Sequence, residues 1–213
     1  MDEKIYHQSQ IEPDGTIVDT LIITRKHNGG DSPYVWWNKV NADYMRVYVP
    51  KGSRLISAEG QTREIDTPPL DYNALKFKRD PQVQMEEDAT KIDEASGTRI
   101  YNELGKTVLA NWVYVSPHET VTIKYVYVLP FKIKTSVKKP LDTYSLLAQK
   151  QSGSISNRFT AEIDYPKSYQ ISWRYPQNKI SQVNNLSDDQ AGIKMETNLR
   201  TDKFIGLALS KRD

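Results

Sequence analysis

The residues best suited to chemistry lie close together: Tyr34, Trp36 and Trp37 stand beside Asn38, Asn41 and Asp43. Flat aromatic faces stack on sugar rings or cover the apolar side chains of a peptide, and neighbouring amide and carboxylate groups supply hydrogen bonds that orient a ligand. The competing reading is structural: one indole plugs the open end of a β-sandwich while the polar side chains satisfy the loop backbone. Consecutive side chains of an extended segment point to opposite faces, so Trp36 and Trp37 are expected to divide, one buried and one exposed.

Other groupings carry less. Glu86, Glu87, Asp88, Asp93 and Glu94 bring oxygen donors of the kind calcium takes, but the alternating aspartates and central glycine of an EF-type loop are missing, and a solvated acidic loop is expected. A carboxylate pair for glycosidic cleavage need not be close in the chain, and nothing singles one out. His7, His27 and His118 show no His-x-x-x-His or His-x-x-Glu spacing and read as surface or loop histidines, not as a zinc site. Leu104-Gly105-Lys106-Thr107 ends like a phosphate-binding loop, but Ile100 stands where its first glycine belongs and the surroundings form a hairpin turn. No Gly-x-Ser-x-Gly elbow is present. Asn185-Leu186-Ser187 spells a glycosylation acceptor, with meaning only in a glycosylating host. With no cysteine, the chain has no disulfide, thiolate metal site or cysteine nucleophile. No metal and no cofactor are expected.

The elements that position these residues are strands. Met45, Val47 and Val49 alternate with Tyr44, Arg46 and Tyr48, the period of a strand with one buried face, and Pro50-Lys51-Gly52-Ser53 reads as a type I turn with Gly52 near left-handed dihedrals. Earlier, Glu12-Pro13-Asp14-Gly15 is a type I turn between strands at 3–11 and 16–26. Residues 54–57, 98–103, 106–115 and 119–129 continue the series, the last with apolar residues on both faces, as a strand covered on both sides would have. Residues 61–97 break the pattern and read mostly as irregular insertion, with Pro68-Pro69 and Pro81 as punctuation and a short helix near 86–94 as the one regular option. About seven strands precede residue 130, the number of a simple immunoglobulin-like sandwich. The proline-bounded connector 130–140 leads to five further strands, at 143–150, 156–165, 169–174, 192–198 and 203–209. The expected fold is therefore all-β: an antiparallel immunoglobulin-like sandwich over 1–134, then a second small antiparallel β domain or sheet extension over 135–213.

Composition narrows the partners. With 29 basic and 27 acidic residues in 213, a net charge of +2 gives no electrostatic case for nucleic acid. Thirteen tyrosines against four phenylalanines suit β surfaces whose outer face is half wet, where the ring packs and the hydroxyl stays solvated. No apolar run approaches the ~20 residues of a membrane span. The chain enters a strand-like stretch at once, which reads either as a cytosolic protein or as a domain cut from a longer one.

The run His27-Asn28-Gly29-Gly30 through Trp36-Trp37-Asn38-Lys39, followed by Asn41-Ala42-Asp43-Tyr44-Met45-Arg46-Val47-Tyr48-Val49-Pro50-Lys51-Gly52-Ser53, resembles the C-terminal region of the bacterial domain-of-unknown-function family 4012. Glu103-Leu104-Gly105-Lys106-Thr107, the stretch 125–130 and the stretch 144–153 fit the same resemblance. It implies an extracellular part of a membrane-anchored cell-surface protein, with the membrane met only through an N-terminal anchor absent from this chain. It implies no activity and carries over no catalytic residue. Two functions are open: a non-enzymatic structural or interaction module whose partners are other surface proteins, or a module binding cell-wall or surface glycan, less expectedly a glycan-processing enzyme.

Overall fold

A computed structural model describes residues 1–63, 74–78, 80–155, 157–183 and 186–212. The strands are β1 Asp2–Ile11, β2 Thr16–Lys26, β3 Asn41–Pro50, β4 Arg54–Glu59, β5 Lys91–Ile92, β6 Arg99–Glu103 and β7 Lys106–Val115. They continue as β8 Thr120–Lys132, β9 Leu141–Ala148, β10 Arg158–Pro166, β11 Tyr169–Tyr175, β12 Ser181–Gln182, β13 Gln190–Asn198 and β14 Lys203–Lys211. One α-helix, α1 (Pro81–Ala89), and a 3-10 turn, Val35–Asn38, complete the described elements. The protein is an all-β sandwich, as the alternating patterns indicate. Its sheets are antiparallel except where β1 runs parallel to β10.

The large layer is a seven-stranded sheet in the order β12-β13-β10-β1-β2-β8-β4. A four-stranded sheet (β3-β7-β6-β5) and a three-stranded sheet (β11-β14-β9) supply the other side, so one layer is split where an immunoglobulin sandwich has two whole sheets. Period-two burial puts Ile17, Leu21 and Ile23 of β2, Ile123, Tyr125 and Tyr127 of β8, and Phe159, Ala161 and Ile163 of β10 on the inner face. They form one apolar cluster with Val49, Leu109 and Val113 of the four-stranded sheet and Tyr144, Ile205 and Leu207 of the three-stranded sheet. Each Val, Leu, Ile or Phe among them contributes about 1.5–3 kcal/mol by leaving water.

Pairing crosses the connector at 130–140. β10 lies along β1 from Lys4↔Arg158 to Gln10↔Asp164, so hydrogen bonds of the large sheet join the two halves of the sequence, while β9, β11 and β14 pair among themselves. The 61–97 stretch holds more regular structure than its composition indicates. Asp80 accepts from the backbone N–H groups of Gln82 and Val83, and Pro81 follows at the first helical position, so α1 starts upstream of the expected 86–94. Pro68-Pro69 lie outside the described residues. β8 is covered on its inner face only, because Lys124, Val126 and Val128 on the other face are half-buried.

The corner from β3 to β4 carries the chain from the four-stranded sheet into the large one. Ser53 N donates to Pro50 O at 3.0 Å, and Gly52 has φ +92°. A positive φ at the third residue makes this a type II turn instead of the expected type I, and glycine adopts it without the steric cost of a side chain. A Cβ there would also come within 3.3 Å of Pro130 Cβ. Replacing Gly52 by Val is expected to destabilise the protein by about 1–3 kcal/mol. A thermal melt checks this, and an unchanged melting temperature would mean that the corner is built differently.

Candidate functional site

The aromatic pair does not divide between core and solvent. Residues 35–38 form a 3-10 turn closed by Trp37 N donating to Tyr34 O at 2.9 Å, so successive side chains fan out about 120° apart and none is buried. Tyr34, Trp36 and Trp37 are 63, 66 and 47% exposed, and the apolar side chains Val35 and Val40 beside them are exposed as well. The rings touch: centroids are 6.1 Å apart for Tyr34 and Trp36, and 5.2 Å apart, edge to face, for Trp36 and Trp37. The expectation of one buried indole fails because it assumed extended backbone.

What holds this apolar knob is a braced loop. Asn38 Oδ1 accepts from Gly30 N at 2.9 Å and Ser32 N at 3.0 Å, and its Nδ2 donates to Ser32 O at 2.7 Å. Gly29 N donates to His27 Nδ1, and His27 Nε2 meets Lys39 O at 3.0 Å. The glycine pair is needed for space: a Cβ on Gly29 would sit 2.1 Å from Trp37 O, and one on Gly30 would enter the His118 ring. Asn38 is therefore occupied by the loop backbone. Asp43 is occupied too, because its Oδ2 accepts from Arg25 Nη1 at 2.7 Å, tying β3 to β2. Asn41 starts β3 with a buried Oδ1 that has no hydrogen-bond partner among the described residues.

Two of the three histidines are interior: His7, inside β1, departs from the surface-or-loop reading, whereas His27 is buried but does stand in the loop after β2. His7 and His27 are buried, and His118 alone is exposed. His7 Nε2 lies 3.2 Å from the Tyr127 hydroxyl and 3.4 Å from Asp19 Oδ2, and the nearby Ser9 Oγ is 2.5 Å from the Tyr144 hydroxyl. These are residue types of acid–base and nucleophilic catalysis, but all five are at most 5% exposed and Ser9 pairs with Tyr144, not with His7. Burial, and next the charge of Asp19, pushes the Tyr127 and Tyr144 hydroxyls well above the ordinary tyrosine value, so both stay protonated donors. The cluster binds the three-stranded sheet to the large sheet. A signal for it existed in the sequence: His7, Ser9 and Asp19 share the parity of Ile11, Ile17 and Leu21, the apolar inward face.

Alternation also concealed a second aromatic surface. On the outer face of the four-stranded sheet, Trp112 touches Tyr44 across the strands (centroids 5.1 Å) and Tyr114 along its own strand (5.8 Å). A third group, Trp173, Tyr175 and Phe204, lies on the outer face of the three-stranded sheet. The tyrosine surplus was the available sign of both. Glu86, Glu87 and Asp88 stand on exposed positions of α1, and Asp93 Oδ2 accepts from Ser96 N and Oγ, so the acidic cluster is dispersed. Leu104 and Gly105, both at positive φ, form the tight turn between β6 and β7, consistent with rejecting a phosphate loop. Asn185 lies outside the described residues.

No protein-family model and no curated protein matches the chain. Among solved structures it is similar to an M1 zinc metallopeptidase from Deinococcus radiodurans, at 11% identity and a TM-score of 0.41, over 99% of this chain and 41% of that one. It is also similar to a mutant of a two-domain M1 zinc metallopeptidase bound to L-arginine, at 10% identity and a TM-score of 0.40, over 99% of this chain and 41% of that one. The chain thus spans about two fifths of the length of these peptidases. Among the described residues no helix is long and apolar enough to cross a membrane.

Two outcomes check the site. Acrylamide should quench Trp36 and Trp37 alike when each is the sole tryptophan, the other three being replaced by Phe, and strong protection of one would restore the extended-strand reading. Replacing Tyr144 by Phe leaves the buried Ser9 hydroxyl without its partner and is expected to cost about 1–3 kcal/mol in a denaturant titration; a cost near zero would show that the Ser9–Tyr144 bond does not hold the layers.

Proposed function

We propose that the chain is a non-catalytic interaction module of a bacterial cell-surface protein, and that it grips a protein partner with the aromatic knob at Tyr34, Trp36 and Trp37. The observation that carries this is the combination of exposure and bracing. Three large rings and two valines stand in solvent on a loop whose backbone is tied by Asn38 and His27. Tryptophan and tyrosine supply much contact area for few rotatable bonds, and a loop already held in place loses little freedom on binding. The extracellular setting rests on the sequence resemblance.

A protein partner is favoured over a glycan at this place because, of the three polar side chains beside the rings, two are engaged and the third, Asn41, has its Oδ1 buried. Asn38 serves Gly30 and Ser32, and Asp43 serves Arg25, while the exposed neighbours of the rings are the apolar Val35 and Val40. The non-catalytic reading is supported by the burial of His7, Ser9 and Asp19, which no substrate reaches without opening the sandwich.

The test is photocrosslinking in the cells of origin, with p-benzoylphenylalanine replacing Trp36. A discrete protein adduct that weakens at least about tenfold when Trp37 is changed to Ser, at unchanged melting temperature, is the expected result, since a buried interface tryptophan carries about 2 kcal/mol or more. Adducts to cell-wall fragments alone, or none, would overturn the reading.

A further inference from the structure

A cleft of about 150 Å³ opens beside the outer aromatic face of the four-stranded sheet, lined on one side by Trp112. Arg63, Asp93, Ser96 and Arg99 contribute the other sides. The walls are fixed. Thr62 N donates to Trp112 O and Tyr114 N donates to Thr62 Oγ1, both at 2.9 Å, which straps residues 61–63 along the free stretch of β7. Gln61 Nε2 reaches Ser96 O at 2.8 Å and Arg63 Nη2 reaches Glu94 O at 3.0 Å, closing the strap over the turn at 93–98.

The geometry points to a subsite for one ring of a neutral saccharide, seated with its C–H face on the Trp112 indole. Three features argue for that ligand class. The volume, well under the roughly 300 Å³ at which drug-sized pockets begin, admits a single ring and excludes a folded peptide segment. The lining pairs one flat apolar wall with two polar groups that are half-engaged among the described residues, Arg63, whose Nη2 alone is spent on Glu94 O, and Asp93, whose Oδ2 alone is spent on Ser96, and this matches a pyranose: apolar above and below, hydroxylated at the rim. Arg63 and Arg99 are offset by Asp93 and Glu94, so the cleft favours neither an anion nor a cation. Tyr44 and Tyr114 then have two tasks. Their contacts hold the indole in place, and they extend the aromatic surface beyond the cleft so that further sugar units of a chain can rest on it. The site is separate from the knob and does not depend on the protein-binding reading.

The experiment uses the full chain labelled with 5-fluorotryptophan. Its four tryptophans give four fluorine resonances, assigned by single Trp→Phe variants. The probes are methyl β-D-glucopyranoside, methyl β-D-galactopyranoside, N-acetylglucosamine and N,N′,N″-triacetylchitotriose. With at least one probe, the Trp112 resonance should shift saturably with a dissociation constant on the order of 1 mM, while those of Trp36, Trp37 and Trp173 stay in place. Arg63→Ala and Arg63→Gln, at an exposed position, should each weaken the interaction at least about fivefold and leave the fold intact. No saturable Trp112 shift with any probe up to about 50 mM, or shifts confined to other tryptophans, would overturn the proposal, as would unchanged affinity in the folded variants. Because the crosslinking experiment reports on position 36, either reading can fail without the other.

Discussion

The structure depends on the pairing of the first strand with one that follows more than 150 residues later. β1 occupies the middle of the seven-stranded sheet, with β2 on one side and β10 parallel to it on the other. Parallel neighbours cannot be joined by a hairpin, so every residue between them has to fold on the way round. The route it takes builds the four-stranded sheet and the first strand of the three-stranded one. After β2 the chain leaves the sheet for the knob and β3, returns through Gly52 to β4, leaves again for β5 to β7 and returns as β8. β9 then starts the three-stranded sheet before β10 returns to lie beside β1, and β13 and β12 later extend the large sheet beyond it.

The two layers are fastened by polar bonds as well as by the apolar cluster. Arg25 and Asp43, with Tyr125 and Asn111, tie the large sheet to the four-stranded one, and Ser9 with Tyr144 ties it to the three-stranded one. Apolar surface is indifferent to exact register, whereas a buried hydroxyl or carboxylate left without a partner costs about 1–3 kcal/mol. Such bonds select one superposition of the layers among many of similar apolar burial. Glu3 belongs to the same joint: it faces Arg25 and Asn157, and burial is the main cause that raises its carboxyl above the ordinary value, ahead of the opposing Arg25 charge.

Local features of this architecture were legible and distant ones were not. Alternation at 44–49 and the proline–glycine corners located strands and turns, because both are decided by neighbouring residues. The partition of strands among three sheets was hidden, since β1–β10 pairing leaves no trace in either strand's own pattern. The conformation of Trp36 and Trp37 was hidden, because their 3-10 turn sits in a loop held by the Gly30 and Ser32 backbone N–H groups donating to Asn38. His7, Ser9 and Asp19 stood in view on the inward parity, but a polar residue there has meaning only when its partner, from β8 or β9, is known. Trp112 was equally visible, yet its cleft is made by residues 62–63 and 93–99, brought to it by the strap.

Partner binding through the knob requires that its exposed rings be held rigid before any partner arrives. Backbone nitrogen-15 relaxation across residues 29–38 measures this directly. Order parameters near 0.85 at Gly30, Ser32 and Trp37, equal to those of the flanking strands, are the predicted result. Values below about 0.6 would mean that the Asn38 and His27 hydrogen bonds do not hold the loop, and would contradict the account.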